Sequence, residues 1–237
     1  MDNLSKSATH PLITANTFKF LSLLKENNNR EWFKLHKDEY EAELLSIEAF
    51  AEGLLAALSM NDLIETPSGK KSLQRIYRDT RFSKDKFPYK NHWEGSFKRA
   101  TKLRRGGYYF HLEPGNTFVG GGFQAPNPQD LKHIRDEISA DAEPLRKIIA
   151  AKSFQDTFGT LNGEQVKTTP KGYDTDNDAN ELLRYKQFLL IKKFSDEEVL
   201  SPLFLQQVDL VYQNMRPFFD YMSDVLTTNL NGESLIE

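Results

Sequence analysis

An α+β fold, with helices at both ends of the chain and an antiparallel sheet between them, is predicted by three features of this 237-residue sequence. Apolar residues recur at helical spacing from Phe33 to Leu58. Between Leu73 and Phe123 the pattern changes to short aromatic and β-branched runs separated by polar or Gly/Pro turns, and helical patterning returns after Asn127. Helices, then a strand meander, then helices fit α+β better than a doubly wound parallel sheet.

Residues 1–15 read as a polar N-terminal arm, and residues 16–230 as a single domain with no internal repeat and no low-complexity linker. Thr17 to Glu26 (TFKFLSLLKE) has the pattern of a short amphipathic helix. Asn28, three residues before Glu31, is spaced to cap the next helix, since the two side chains satisfy free backbone donors. Phe33, Tyr40, Leu44, Ile47, Ala51, Leu54 and Leu58 then form one apolar face of a helix over Arg30 to Leu58. Strands are predicted at Leu73 to Phe82, Trp93 to Lys98, Gly107 to Leu112 and Thr117 to Phe123. The EPGN turn at 113–116 makes the last two a hairpin, because Pro fixes its own φ and Gly accepts a positive one. Asn127 and Pro128 are a helix start, followed by helical segments to about Phe158 that are interrupted near Pro144. Lys186 to Phe194 (KQFLLIKKF) reads as a further strand, and Ser201 to Leu226 as a closing helix with a kink or break at Pro217.

Hydrophobic residues make up 38% of the chain and charged residues 27%, which suits a packed core and not a disordered chain. The 17 phenylalanines are accordingly read as core. With no cysteine, disulfides, thiolate catalysis and Cys-ligated metal sites are excluded. The N-terminal residues lack a basic, apolar leader pattern and no stretch approaches the roughly 20 apolar residues of a membrane span. A cytoplasmic protein without a membrane partner is expected, and composition sets no oligomeric state.

The net charge of −3 conceals an asymmetry. Residues 70–105 carry 13 Lys or Arg against Asp79, Asp85 and Glu94, a net of +10, which leaves −13 on the rest of the chain. A basic segment in an acidic chain implies a local anion site or internal charge pairing. Its most distinctive string is RIYRDTRFSKDKFPYKNHWEG, Arg75 to Gly95. On a strand, Arg75, Tyr77, Asp79 and Arg81 share one face, so that Arg75 and Arg81 flank Asp79 as anion-binding forks or as a plain ion-pair ladder. Lys86, Tyr89 and Lys90 follow on a loop around Pro88, and Lys171 lies in a second Pro/Gly turn with Lys167 and Tyr173. Asp79 and Asp85 are the acidic candidates for orienting a group or moving a proton. With Arg75 and Arg81 expected beside it, Asp79 is read first as a structural counter-ion.

Other motifs carry less. Gly120, Gly121 and Gly122 precede a helix, but glycines in a strand more often permit a bulge or a close backbone approach than a phosphate site. His10, His36, His92, His111 and His133 show no paired metal-ligand spacing, so no metal and no cofactor are implied. His92, beside Trp93 in the basic segment, is the one histidine kept as a titrating candidate. No GxSxG or Walker string occurs.

The segments FLSLLKENNNREWF, RIYRDTRFSKDKFPYK, GGGFQAPNPQDL and TPKGYDTDND resemble those of a large bacterial and fungal family, domain of unknown function 2461, over about Phe18 to Leu226. The resemblance implies a single domain and brings no activity with it. It marks Arg75, Arg78, Asp79, Arg81, Phe82, Ser83, Lys86, Pro88 and Lys90 as signature positions. Where the family usually has a His-Pro pair after the PKGY segment, this chain has Asn177 and Asp178.

The leading expectation is a site for an anionic, phosphate- or carboxylate-bearing small molecule, formed where the basic strand and loop meet the glycine-rich hairpin, with or without catalysis. Arg75, Arg78, Arg81, Lys86, Tyr89, Lys90 and Lys171 are its ligand-binding candidates. Two readings compete with it. One is a nucleic-acid-binding module that stacks bases on Tyr77, Tyr89, Trp93, Tyr108 and Tyr109, against which the acidic remainder counts. The other is an interaction or scaffold domain whose basic segment pairs with acidic surface.

Overall fold

A computed structural model describes residues 13–229 and 231–236. The first 12 residues of the expected arm lie outside the described residues. The next two are anchored: Ile13 is buried and Thr14 caps the first helix, α1 (Ala15–Glu26). The expected helix over 30–58 is two helices, α2 (Arg30–Leu35) and α3 (Lys37–Asn61). They part at His36, whose ring nitrogen bonds the Trp32 carbonyl at 2.9 Å and whose backbone leaves helical geometry (φ −109°, ψ 22°). The cap is Asn29 and not Asn28. Asn29 accepts from Trp32 N, while Asn28 makes a two-way amide pairing with the backbone of Tyr89 (3.0 and 3.1 Å).

After the short helix α4 (Gly69–Ser72) the strand expected over 73–82 is absent. Residues 73–92 form an irregular loop that folds back on itself, with bridges at Leu73↔Gly95 and Tyr77↔Tyr89 and backbone bonds from Arg78 N to Pro88 O and from Lys90 N to Ile76 O. The alternation that predicted a strand was one of charges. Only Ile76 is buried between Leu73 and Phe82, and a strand without an apolar face has nothing to hold it in a ladder.

The sheet is four-stranded and antiparallel in the order β1 (Trp93–Lys98), β2 (Gly107–Leu112), β3 (Thr117–Phe123), β4 (Phe188–Phe194). Strand alternation divides its side chains. Trp93 and Phe97, Tyr108, Phe110 and Leu112, Val119 and Phe123, and Phe188, Leu190 and Phe194 are buried on one face. They pack against α3 and the closing helix α10 (Phe204–Thr227), with Phe110 edge-on to Phe50 at 5.7 Å and Tyr108 edge-on to Phe219 at 5.1 Å. The opposite face carries Glu94, Ser96 and Lys98, Tyr109 and His111, Phe118, and Leu189 and Ile191. The EPGN hairpin turn forms as expected, with Asn116 N bonded to Glu113 O.

Helices α5 (Pro128–Ala140), α6 (Glu143–Ala150) and α7 (Lys152–Phe158) follow the hairpin. Asn127 caps α5 with Pro128 in its first turn, and the break before Pro144 is present. Two one-turn helices, α8 (Asn180–Leu183) and α9 (Asp196–Val199), flank β4. Helix α10 runs through Pro217 undivided, its buried Met215, Phe218, Phe219 and Met222 holding it to the core on both sides of the proline. No described helix is long and apolar enough to cross a membrane. The architecture is α+β, as the periodicities predict.

Candidate functional site

The 73–92 loop pairs its own charges. Arg78 Nη1 donates to Asp85 Oδ2 at 2.8 Å, and Arg81 donates through Nε (3.0 and 3.2 Å) and Nη2 (2.6 Å) to the two carboxylate oxygens of Asp79. The Arg81 side chain first, and its backbone N–H second, hold the Asp79 carboxyl below the usual range; Arg78 and the Phe87 N–H do the same for Asp85. Lys86 Nζ donates to the Thr80 carbonyl. Arg75 is exposed and reaches Asp79 only through its field. Asp79 and Arg81 are 47% and 77% exposed, so the cost of breaking a buried pair does not apply to them.

Two further residues from the sequence reading stand elsewhere. Tyr89 is a core residue, stacked on Phe33 with ring centres 4.1 Å apart. Lys171 lies exposed on a turn whose Tyr173 bonds Asp136 of α5, and among the described residues no hydrogen bond or ion pair joins it to the basic loop. Asn177 bonds Ser139, and Asp178 pairs with Arg146 at 2.9 Å, so both positions of the family departure tie the 170s turn to α5 and α6.

Lys90 leads to a different place. Its ammonium donates to Glu94 Oε1 (2.5 Å) and Gln74 Oε1 (3.2 Å) at the head of a groove of ≈ 770 Å³ that runs over the open face of the sheet. Glu94, Ser96, Lys98, Tyr109, Phe118 and Ile191 line it, over a floor of Gly107, Gly120 and Gly122. The glycines keep the floor low, and local geometry requires them: Gly122 has φ +128°, and a Cβ there would meet the Phe188 carbonyl at 2.1 Å. A bulge-like close approach, and not a helix-terminal phosphate loop, accounts for this triplet.

From Glu94 and Tyr109 at the groove's head a continuous polar network extends to His111 and Glu113 beyond it. Tyr109 OH donates to Glu94 Oε2 at 2.5 Å and sits 3.5 Å from His111 Nδ1; His111 Nε2 lies 3.0 Å from Glu113 Oε2; Asn91 and Asn116 donate to Glu113. His92 approaches Glu94 at 3.7 Å, and its ring centre is 4.2 Å from that of His111. The His92 imidazole, followed by Lys90 and Tyr109, holds the Glu94 carboxyl far below its ordinary value against the opposing effect of burial. Burial, reinforced by Glu94, raises the Tyr109 phenol, and burial lowers His111 despite Glu113. At neutral pH the network therefore contains an ionised Glu94 and an intact Tyr109 hydroxyl. A carboxylate so strongly stabilised is a poor proton acceptor and a good fixed hydrogen-bond acceptor.

A depressed carboxyl pKa contributes stability that is present above the unfolded value, about 4.3 for Glu, and lost as pH falls through the folded value. Glu94→Gln is expected to lower unfolding free energy at pH 7 by about 1.5–3 kcal/mol, the range for hydrogen bonds to a charged group. The gap between variant and wild type should close as pH drops below about 4. Denaturant titrations across pH check this, and a gap independent of pH would oppose the assignment.

The groove's other end is basic. A second cavity of ≈ 610 Å³ shares Lys98 and Gly106 with it and adds Arg99, Lys102, Arg104 and Arg105, with Glu65 the one acid among the described residues of its lining. Beneath it lies a buried ion network. Asp62, at the C-cap of α3, accepts from Arg99 Nε (2.7 Å), Arg104 Nη1 (2.6 Å) and Tyr108 OH (2.8 Å); Arg99 also pairs with Asp220 and donates to Ser223 of α10. Burial would raise the Asp62 carboxyl, but Tyr108, Arg99 and Arg104 outweigh it and hold it low. Arg105 pairs with Asp130 at 2.5 Å, whereas Lys102 is exposed and has no ion-pair partner among the described residues.

Most of the basic segment's cations are thus internally paired. The sequence reading centres on the loop: it gives Tyr109 only as a stacking surface and His111 only as a histidine without paired spacing, and it assigns Glu94 and Glu113 no site role. A signal for them existed: in YYFHLE the apolar Tyr108, Phe110 and Leu112 alternate with Tyr109, His111 and Glu113, which places three polar groups on the face away from the core.

Residues 16–221 match the model of a family described as conserved hypothetical protein (DUF2461), and the chain belongs to that family. Comparison with curated proteins gave no match, and comparison with solved structures gave none either.

Proposed function

We propose that this member of the DUF2461 family binds a small molecule bearing a phosphate or carboxylate along the open face of its sheet. The anionic group is held at the basic end by Lys102, with Lys98, Arg104 and Arg105 exchanging contacts to Glu65, Asp62 and Asp130 for it, and the body lies over the glycine floor with its polar atoms toward Glu94 and Tyr109. The observation that carries this reading is that two cavities share Lys98 and Gly106 in their walls, one lined by Arg99, Lys102, Arg104 and Arg105 and the other by a low floor with a polar head. Guanidinium forks suit phosphate and carboxylate oxygens, and a mixed apolar and polar cleft suits a small-molecule body. Of the residues marked by the sequence, Lys90 belongs to the head. The Arg78–Asp85 and Arg81–Asp79 pairs shape the loop that carries it.

A thermal-shift screen of nucleotides, sugar phosphates and polycarboxylates tests the reading. A ligand at 100 times its dissociation constant adds about 2.7 kcal/mol of stability. Lys102→Glu, a change at an exposed residue, should leave the unliganded melt unchanged and weaken binding by about tenfold or more, as loss of a charge-assisted contact of about 1.5–3 kcal/mol requires. A panel that leaves the melting curve unmoved would sink the proposal.

The nucleic-acid reading draws support from Tyr77 and Phe82, which are exposed beside Arg75 and Arg81. It is weaker because Tyr89, Trp93 and Tyr108, three of its expected stacking platforms, are buried. Gel shifts at low and high salt distinguish it, since phosphate contacts weaken steeply with salt.

A further inference from the structure

We propose that His92, His111 and Glu113 form a binding site for a divalent transition-metal ion of the Zn²⁺ class beside the head of the groove. The proposal stands on its own geometry and does not depend on the ligand reading. One donor atom from each of the three side chains lies within 4.8 Å of the other two. A metal about 2.0–2.2 Å from each donor separates neighbouring donors by about 3.0–3.5 Å. His111 Nε2 and Glu113 Oε2 are already 3.0 Å apart. The remaining adjustment falls on His92, which sits at the end of the 73–92 loop, outside the strands, with its ring centre 4.2 Å from that of His111.

The surroundings orient these donors as the outer ligands of a metal site do. Asn91 donates to Glu113 Oε1 at 2.6 Å and Asn116 to Oε2 at 2.9 Å, which fixes the carboxylate plane. The His111 ring is stacked on Phe118, with centres 4.8 Å apart.

Proton accounting points the same way. The single Tyr109 proton is committed to Glu94, so the Tyr109 oxygen faces His111 Nδ1 as an acceptor. A neutral His111 with its proton on Nε2 serves Glu113 and sets the Nδ1 lone pair against that oxygen. With the proton on Nδ1 it serves Tyr109 and sets the Nε2 lone pair against Glu113. A cation between Nε2 and Glu113 satisfies both ends at once, as would an imidazolium, and metal uptake separates the two.

Charge and chemistry agree. Lys90 is matched by Glu94, and among the described residues no Lys or Arg pairs with Glu113, so the set offers two imidazoles and one carboxylate. Two nitrogens and one oxygen suit Zn²⁺, Co²⁺ or Fe²⁺ and not the oxygen-only preference of Ca²⁺ or Mg²⁺. Asn91 and Glu113 also line a cavity of ≈ 360 Å³, so the carboxylate side of the cluster borders open space.

The test uses tag-free full-length protein, stripped with a chelator and titrated with Co²⁺ and Zn²⁺, read by Co²⁺ visible absorption and by calorimetry. Saturation at one equivalent is expected, with a rise in melting temperature. Asn116→Ala should weaken binding by about 10–100-fold, the effect of removing an outer-sphere partner. His92→Ala and Glu113→Gln should abolish uptake, and His36→Ala should not change it. His92 lies outside the strands, so its variant remains informative even if Glu113→Gln misfolds. Absence of saturable uptake, uptake that survives His92→Ala, or equal loss in His36→Ala would overturn the site.

Discussion

Arg99→Met is expected to lower the unfolding free energy by about 3–5 kcal/mol, the cost of removing one partner from a buried ion pair. Arg99 is the largest fully buried side chain in the protein's described part, and its partner Asp62 is almost equally enclosed. Methionine retains most of the aliphatic volume, so the loss comes from Asp62 and from the Ser223 and Asp220 contacts, not from a cavity. Arg104 and Tyr108 still reach Asp62, which places the expected cost toward the lower end of the range. The network joins the end of α3, the end of β1, the start of β2 and helix α10, so its rupture should lower the cooperativity of unfolding as well as the midpoint. Denaturant unfolding followed by circular dichroism measures both. A loss under about 1 kcal/mol would mean that Arg104 and Arg216, whose Nε lies 3.5 Å from Asp62 Oδ2, compensate fully, and the network would then be ornamental to stability.

Gly122→Ala is the second large effect. Its φ of +128° is a conformation that L side chains rarely adopt, and its missing Cβ would stand 2.1 Å from the Phe188 carbonyl and 3.1 Å from the Leu189 Cα. The backbone conformation alone costs on the order of 1–3 kcal/mol, and the overlap with the backbone of β4 adds to it. Gly115→Ala is the matched control. It too has a positive φ, +72°, but a Cβ there meets nothing within 4 Å, so only conformational strain applies. Thermal melts of the pair should show the larger loss at 122. Equal losses would remove the argument that close approach of β3 to β4 shapes the groove floor.

Hydrophobic periodicity made the architecture legible, because every strand that formed has an apolar face and each of the long helices has an apolar stripe. The one expected strand that failed, over 73–82, lacked that face, since Arg75, Arg78, Asp79 and Arg81 alternate charge and not hydrophobicity. The basic segment was legible as a functional neighbourhood, yet its residues divide in three dimensions. Arg78, Asp79, Arg81 and Asp85 close on one another, Tyr89 enters the core, Lys90 turns to the sheet, and Arg99 is buried beneath the basic end. Which cations remain free depends on long-range partners such as Asp62, Asp130 and Asp220, and no local pattern reveals those. His92, His111 and Glu113 likewise meet only because β1 and β2 pair with Glu94 opposite His111. Histidine spacing along the chain holds no trace of that register.

The proposed function puts the working surface in the groove over the open sheet face and not on the charged loop. Amide NMR of the isotope-labelled protein titrated with inorganic pyrophosphate tests it most directly, because the probe carries only the anionic chemistry the basic end should recognise. Saturable shifts are predicted at Lys98, Lys102, Gly106 and Gly107, with Gly120 following, and they should be lost in Lys102→Glu. Shifts confined to residues 75–90, or none that saturate, would rule out a binding site in the groove.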